Sequence, residues 1–323
     1  MSYLGFLRLR QQQIINPLFS TPESVVEWMG AVQAQDPNHA QTAVAIRILD
    51  GNEEQVSQAL DAGLLVRTHV LRPTWHLVSA RDARWMLKLS APQIRALSRA
   101  LSSQLGLDAA IFNRCNDLIA AALEGNRHMT RMELASLIEK NGLPSSGSHM
   151  VHIMFNAELD ALVCNGIPKG KEQTYALMDE KIGPGLSFTH EEALAELARR
   201  YFQSHGPATL PDFTWWSGLK VGDAKKALAS VAAELKEVTI EGQAYWCARD
   251  ADLRIERHEH RILLPGFDEF LIAYKNRDAV LDPQHNRKVI TVNGIFKPIV
   301  VVDGHVVGGW EKKGKERLIR FFD

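Results

Sequence analysis

Apolar residues recur at helical spacing in three stretches of the chain, and each stretch is followed by an alternating segment typical of a β-hairpin. The clearest stretch is 189–250, where Leu194, Leu197, Ala198 and Tyr201 form one apolar helix face. Its pattern predicts helices at about 190–204, 211–218 and 221–235, then strands at 236–240 and 243–246. Three helices followed by a hairpin is the order of a winged helix-turn-helix, in which the hairpin is the wing.

Two earlier stretches show the same order. Residues 109–180 predict helices at 109–123, 131–141 and 149–164, then strands at 162–164 and 173–177 around a turn at 168–171. Residues 4–78 predict helices at 4–15, 22–34 and 53–62, then strands at 64–68 and 74–78, with a linking helix near 80–105. One such unit could equally be an ordinary helical domain with a hairpin. Three units in the same order favour winged-helix modules.

The pattern changes after residue 253. An apolar run at 298–302 is followed by Asp303-Gly304 and a second apolar run, and Asp-Gly between such runs is a strong hairpin signal. The sequence thus predicts an α+β chain, mainly α with β-hairpins. It consists of winged-helix module 1 with its linking helix at 1–105, module 2 at 106–185, module 3 at 186–253 and a C-terminal β-rich segment at 254–323.

Composition limits the classes of function. The 323 residues are 46% hydrophobic, enough for packed cores and against global disorder. The formal net charge of −1 argues against a purely electrostatic nucleic-acid binder, which would be strongly basic. A basic groove on a neutral protein remains compatible with these values, so the local distribution of charge matters more.

Basic residues gather on the predicted wings and on the helices between them. The candidate DNA-binding residues are Arg67, His69, Arg72 and His76 in the first hairpin and Lys169 and Lys171 in the second. Between residues 84 and 131 there are seven Lys or Arg and three acidic residues. Such groups typically bind phosphates rather than read bases. The alternatives are solvated helix faces and wings that contact another protein.

Other features favour a reducing compartment and no bound metal. Cys115, Cys164 and Cys247 lack metal or disulfide spacing, which predicts free thiols. The first residues lack the apolar core of a signal peptide, and no apolar run reaches 18 residues. We therefore expect a cytoplasmic protein without a membrane partner. His258 and His260 can share a strand face but have no third ligand, so neither a metal nor another cofactor is predicted.

A set of local motifs resembles the bacterial winged-helix DNA glycosylases of the AlkZ/YcaQ type, and it spans nearly the whole chain. The motifs are Gln33-Ala34-Gln35-Asp36, Arg72-Pro73-Thr74-Trp75-His76-Leu77, His205-Gly206-Pro207-Ala208-Thr209, the segments 212–219 and 264–270, Tyr274-Lys275-Asn276-Arg277 and the segment 302–310. The resemblance implies three tandem winged helices around a concave DNA channel. It also implies excision of alkylated purines, including interstrand crosslinks, with Gln33 and Gln35 as the catalytic residues.

Glutamine suits this chemistry in a limited way. It does not titrate and cannot be an ordinary general base, but its carbonyl accepts and its amide donates hydrogen bonds. Two glutamines could position a water on the sugar carbon, because a cationic N-alkylated purine leaves without a protein acid. Positions i and i+2 do not share a helix face, so convergence requires the helix to end near Gln33, ahead of Asp36-Pro37. The alternative is a pair of polar residues that cap a helix end.

Further residues of the motifs have structural interpretations. Trp215 and Trp216, beside Phe213, are predicted to be core residues rather than a base-stacking surface. Asp268, with Tyr274 and Arg277, is predicted to form a buried ion pair that fixes the C-terminal segment, with DNA contact as the alternative. Asp36 could stabilise an oxocarbenium-like sugar through its charge.

Taken together, these observations predict a monofunctional DNA glycosylase. It would hydrolyse the N-glycosidic bond of cationic alkylated purines or crosslinks in double-stranded DNA, as a monomer and without a lysine nucleophile. One alternative is a winged-helix DNA-binding or regulatory protein without catalysis, and another is a protein-interaction scaffold.

Overall fold

A computed structural model describes residues 2–254, 260–314 and 316–323. The chain divides into two compact units: residues 1–57 with 191–323 form unit 1, and residues 58–190 form unit 2. Unit 1 thus combines two separate parts of the sequence, and unit 2 lies between them along the chain. Within the described residues, none of the helices combines the length and the apolar character needed to cross a membrane.

The N-terminal part of unit 1 is helical apart from one short strand. Its elements are α1 (Tyr3–Gln11), α2 (Pro22–Met29), β1 (Val32–Gln33), α3 (Pro37–Ala45) and α4 (Glu53–Asp61), the last of which continues into unit 2. Helix α2 starts as its sequence predicts. Thr21 Oγ1 accepts the backbone N–H of Ser24, and Pro22 occupies the first turn, where its missing N–H costs nothing.

Unit 2 contains two hairpins and a set of helices. Its elements are β2 (Leu65–His69), β3 (Trp75–Ser79), α5 (Ala80–Gln104), α6 (Ala109–Leu123), β4 (Met129–Thr130), α7 (Arg131–Lys140), α8 (Gly147–Leu159), β5 (Val163–Asn165), β6 (Thr174–Leu177) and α9 (Met178–Lys181). Strands β2 and β3 pair antiparallel, and β6 lies between β4 and β5. Helices α6, α7 and α8 enclose a core that includes Ile119, Leu134 and Ile153.

The remainder of unit 1 begins with three helices and a hairpin. These are α10 (His190–Ser204), α11 (Leu210–Ser217), α12 (Val221–Val231), a 3-10 turn (Ala232–Glu234), β7 (Leu235–Ile240) and β8 (Gln243–Ala248). The C-terminal part contains β9 (Arg261–Leu264), α13 (Glu269–Ile272), a 3-10 turn (Pro283–His285), α14 (Asn286–Val289), β10 (Ile299–Val302), β11 (His305–Lys313) and β12 (Glu316–Phe321). Its four strands form an antiparallel sheet in the order β12-β11-β10-β9.

The core of unit 1 joins the N-terminal helix to the C-terminal sheet. Phe6 and Leu9 of α1 pack in one buried cluster with Phe270, Ile299 and other residues of the C-terminal part. A close backbone approach supports this contact, because a β-carbon on Gly5 would lie 2.1 Å from the carbonyl oxygen of Gly304. The first and last parts of unit 1 therefore share one core although they are far apart in sequence.

The mixed fold with small antiparallel sheets agrees with the α+β prediction. The hairpins at β2–β3, β5–β6, β7–β8 and β10–β11 are confirmed, as are the long helices α5, α6 and α10. Four predicted helices were too long: those at 4–15, 22–34 and 149–164 end at Gln11, Met29 and Leu159, and the one at 221–235 ends at Val231, before the 3-10 turn. Helix α3 was not predicted, nor were the short helices α9, α13 and α14.

Candidate active site around Gln33 and Gln35

Gln33 and Gln35 lie in an extended stretch between α2 and α3. The prediction that they close a helix was wrong. Helix α2 ends earlier because Gly30 adopts a φ of +76°, a left-handed conformation that glycine tolerates. Gln33 then belongs to β1, and Asp36 is extended, with a φ of −108° and a ψ of 115°.

Asp36 begins the next helix. Its Oδ1 accepts the backbone N–H groups of Asn38 and His39 at 2.9 and 3.0 Å, and Pro37 occupies the first turn of α3. Aspartate followed by proline is a strong helix-start signal. Helix capping therefore accounts for Asp36 and fixes the chain direction immediately after Gln35.

The two glutamines have different environments. Gln33 is buried, with 5% of its surface exposed, whereas Gln35 is exposed. Neither residue ends a helix, because α2 ends at Met29, Gln33 belongs to β1 and Gln35 precedes α3. Gln33 therefore belongs to the packed part of unit 1, and Gln35 is accessible from solvent.

A buried carboxylate anchors the backbone at Gln33. Glu269, at the start of α13, has no exposed surface, and its Oε1 accepts the Gln33 backbone N–H at 2.7 Å. Its Oε2 accepts the indole N–H of Trp216 at 3.2 Å. Hydrogen bonds to an ionised acceptor are stronger than those between neutral groups, so these donors stabilise the buried charge and fix β1 at Gln33.

His205 lies beside this carboxylate. Its Nε2 is 3.6 Å from Glu269 Oε2, and both side chains are fully buried. Burial lowers the pKa of His205 below its ordinary value, although the nearby Glu269 carboxylate raises it. Ser204 Oγ donates to the Arg200 carbonyl at 2.6 Å and lies 2.8 Å from His205 Nδ1. The site thus contains a buried imidazole beside the carboxylate.

A buried ion pair fixes the chain at Arg47, directly after α3. Asp268 accepts from Arg47 through both carboxylate oxygens, at 2.9 Å each, and neither side chain exceeds 1% exposure. Arg47 also donates to the Ala43 carbonyl of α3 at 2.6 Å and to Gln12 Oε1 at 3.0 Å. The predicted buried ion pair at Asp268 is confirmed, and its partner Arg47 was not foreseen.

The first hairpin of unit 2 buries both of its histidines. His69 has 6% of its surface exposed, and its Nδ1 lies 2.7 Å from Glu158 Oε2; His76 has no exposed surface. Glu158 also accepts the His69 backbone N–H at 3.1 Å. Burial lowers the pKa of His76 well below 6.5, and Arg72 lowers it further. Neither histidine has an exposed ring face in this conformation.

The other predicted DNA-binding residues are more accessible. The Arg67 guanidinium stacks on the Trp75 ring at 4.4 Å, and Arg72 is half-buried at the turn of the same hairpin. Lys169 and Lys171 are both exposed, and Lys169 Nζ contacts the Glu133 carboxylate at 2.8 and 3.0 Å. Within the second hairpin, Lys171 is therefore better placed than Lys169 to meet a phosphate.

Part of the predicted basic excess at 84–131 is neutralised within unit 2. Arg84 pairs with Asp179 at 2.7 Å, and Arg95 pairs with Asp160. The guanidinium of Arg127 donates to backbone carbonyls. The two ion pairs offset part of the positive charge, so the local count of basic residues overstates the positive potential of this surface.

Comparisons with known proteins identify the family to which this chain belongs. A family model described as DNA glycosylase AlkZ-like matches residues 26–321. The chain belongs to the AlkZ-like DNA glycosylase family. The interstrand DNA cross-link repair glycosylase of Streptomyces sahachiroi is 27% identical over 333 residues, covering 97% of this chain and 88% of the relative. The solved structure of Streptomyces sahachiroi DNA glycosylase AlkZ superposes with a TM-score of 0.84 and 25% identity, covering 99% of this chain and 90% of that one.

Membership in the AlkZ-like family makes the reaction class explicit. A DNA glycosylase is an N-glycosyl hydrolase, and its substrate is DNA. The family match includes the segment 33–36 and the segment 264–270, which the structure brings together through the contact of Gln33 with Glu269.

Of the two tryptophans of this AlkZ-like protein that were predicted to be core residues, one is buried and one is not. Trp216 is buried as predicted, but Trp215 is 41% exposed, with its indole N–H donating to the Ile272 carbonyl at 2.9 Å. The Tyr274 hydroxyl donates to the His205 carbonyl at 2.7 Å. Arg277 is half-buried and donates to the Leu271 carbonyl at 2.8 Å. These contacts give Tyr274 and Arg277 structural positions within unit 1.

No metal centre is evident in the described part of the chain, where no group of three or more His, Cys, Asp or Glu is placed to bind a metal ion. His258, one of the two histidines considered as ligands, lies outside the described residues, and His260 packs near Phe6 with ring centroids 5.9 Å apart. Glu269 and His205 were not among the predicted site residues, although both lie inside the family motifs. Their burial depends on packing, and no local signal of the sequence distinguishes them from exposed polar residues.

Proposed function

We propose that this AlkZ-like protein is a monofunctional DNA glycosylase that releases cationic alkylated purines, including those in interstrand crosslinks, from double-stranded DNA. The observation that carries the proposal is the family match over residues 26–321, which includes a Gln-Ala-Gln segment whose first residue is held by the buried carboxylate of Glu269. The relative named as an interstrand cross-link repair glycosylase supports the substrate class.

In the proposed mechanism, Gln33 and Gln35 position a water against the sugar carbon of the damaged nucleotide. An amide side chain offers both an acceptor and a donor, so it can orient a water although it does not act as a base. The C1′–N bond breaks with its electron pair going to the cationic purine, and the proton that the attacking water loses passes to bulk solvent. The alkylated purine carries a positive charge and departs without protonation by the enzyme. Positioning alone can lower a barrier by up to about 7–11 kcal/mol in ideal cases, which makes fixed backbone geometry at Gln33 important.

For the architecture, we propose three tandem winged-helix modules at 1–105, 106–185 and 186–253, followed by the β-rich segment at 254–323. The hairpins β2–β3, β5–β6 and β7–β8 are the wings. Arg67, Arg72, Lys169 and Lys171 contact DNA phosphates, and His69 and His76 act from within the hairpin by fixing its conformation. We place the protein in the cytoplasm as a monomer.

The experiment that tests the proposal measures base release from three duplexes: unmodified, N7-methylated and crosslinked through purine N7. The proposal expects free methylated base and an intact abasic site from the second duplex. From the third it expects an abasic site and strands that separate on denaturation, because a crosslinked base cut from one strand stays attached to the other until its second glycosidic bond is cut. Neither duplex should show strand cleavage until heat or alkali is applied. Binding of all three duplexes without release of any base would favour the alternative of a non-catalytic DNA-binding protein. Strand cleavage by the enzyme itself would contradict the monofunctional reaction.

A further inference from the structure

Two consecutive carboxylates at the start of α13 reach opposite ends of the segment that carries the glutamines. Glu269 accepts the Gln33 backbone N–H at 2.7 Å. Asp268 binds Arg47, which follows α3 and also donates to the Ala43 carbonyl. The segment 33–47 is thus attached to one short element through two independent buried contacts.

The backbone before α13 also lies close to this segment. A β-carbon on Gly266 would lie 2.7 Å from His39 Nδ1 of α3 and 2.8 Å from the Phe296 carbonyl oxygen, so the Gly266 backbone lies against the His39 side chain. Residues 266–269 therefore contact both β1 and α3. A shift of residues 266–269 would move Gln33 and, with it, the neighbouring Gln35.

Glu269 itself is held in place by its other contacts. Its Oε2 accepts from the buried Trp216 indole at 3.2 Å and lies 3.6 Å from His205 Nε2. Glu269, Trp216 and His205 have no exposed surface, so solvent cannot replace any of these contacts. A buried charge that loses a donor is costly, and this cost keeps the carboxylate oriented toward the Gln33 N–H.

We propose that Glu269 is a positioning residue for the glycosylase reaction, acting through the backbone of Gln33; this inference rests on the proposed function. The carboxylate is fully buried and does not touch DNA or the attacking water. It fixes the β1 backbone, and this fixes the direction of the Gln33 side chain.

The test is a double-mutant cycle with Glu269→Gln and Gln33→Ala, read as the single-turnover rate of base release from N7-methylated duplex DNA at saturating protein. Glu269→Gln keeps the side-chain volume but replaces one acceptor by a donor. We expect it to lower the rate by about 10- to 100-fold, the scale expected for a misplacement of about 1 Å, with DNA affinity changed less than about 2-fold. In the Gln33→Ala background the same substitution should cause no further loss, because coupled residues are non-additive.

Asp212→Asn is the matched control. Asp212 is also a buried carboxylate of unit 1, and it accepts a backbone N–H, that of Lys275, at 2.9 Å. This variant should retain the wild-type rate per folded molecule. Glu269→Asp, which keeps the charge but shortens the side chain, replaces Glu269→Gln if the latter does not fold, and it should show the same non-additivity.

Two results would overturn the inference in different ways. If the losses from Glu269→Gln and Gln33→Ala multiply in the double variant, Glu269 does not act through Gln33. If the wild-type protein releases no base from methylated or crosslinked DNA, the proposed function itself fails, and the positioning role fails with it. The activity of the wild-type protein distinguishes the two cases.

Discussion

Arg47 and Asp268 form a bidentate ion pair in which both N–O distances are 2.9 Å and neither side chain is more than 1% exposed. Removing one partner would leave the other charge buried without compensation. We expect Asp268→Asn to lower the free energy of unfolding by about 3–5 kcal/mol, measured by urea denaturation. Glu311→Gln, which breaks an exposed pair with Arg320, is the control and should change it by no more than about 1 kcal/mol. Equal changes in the free energy of unfolding for the two variants would contradict the conclusion that the Arg47–Asp268 pair is buried and the Arg320–Glu311 pair is exposed.

The contact of α1 with the β10–β11 turn gives a second prediction. A β-carbon on Gly5 would lie 2.1 Å from the Gly304 carbonyl oxygen, which belongs to the backbone and cannot rotate away. We therefore expect Gly5→Ala to destabilise unit 1 by about 1–3 kcal/mol or more, as overpacking does. Gly147→Ala is the control, because nothing lies within 4 Å of a β-carbon there and the position is helical. Thermal unfolding of both variants tests the difference, and an unchanged Gly5→Ala protein would rule out the close approach.

The second predicted wing yields a test of DNA binding. Lys171 is exposed, whereas Lys169 already contacts Glu133, so Lys171→Ala should weaken DNA binding more than Lys169→Ala does. If Lys171 contacts one phosphate, its loss should reduce the slope of log affinity against log salt by about 0.9. The exposed Lys140 at the end of α7 provides the control, and Lys140→Ala should retain the wild-type slope. Identical slopes for Lys171→Ala and wild type would remove Lys171 from the interface.

His76 predicts a dependence of stability on pH. Burial lowers the pKa of His76 in the folded protein well below its ordinary value of 6.5, which the unfolded chain regains. Below about pH 6.5 the unfolded state therefore binds a proton that the folded state does not, and the stability falls as the pH decreases. One proton contributes a slope of at most about 1.4 kcal/mol per pH unit. The His76→Gln variant should show a shallower fall between pH 7 and pH 5 in urea titrations, and an unchanged slope would contradict a neutral buried His76.

Local patterns were sufficient for most elements and insufficient at the candidate site. Helix α5 and the β7–β8 hairpin follow directly from their periodicity and turn residues. The failure at 22–34 has an identifiable cause, because Gly30 can take a left-handed conformation and Asp36-Pro37 begins a new helix. Apolar spacing continues across both points and conceals the break.

The partners of the segment 33–47 could not be predicted from local sequence. Glu269 is separated from Gln33 by 236 positions, and Asp268 is separated from Arg47 by 221. Neither contact leaves a periodic signal, because each depends on how the C-terminal part of unit 1 packs against its first helices. The sequence motifs include both segments, and only the packing shows that the two contact each other.

The most direct test of the account compares Gln33→Ala and Gln35→Ala with wild type in single-turnover base release from N7-methylated duplex DNA, with DNA affinity measured in parallel. The account predicts that each substitution lowers the rate by at least about 100-fold, the scale of a lost positioning contact, while affinity stays within about 3-fold and the thermal midpoint of Gln35→Ala, an exposed position, does not change. Base release at the wild-type rate by either variant would contradict the assignment of that glutamine to the reaction.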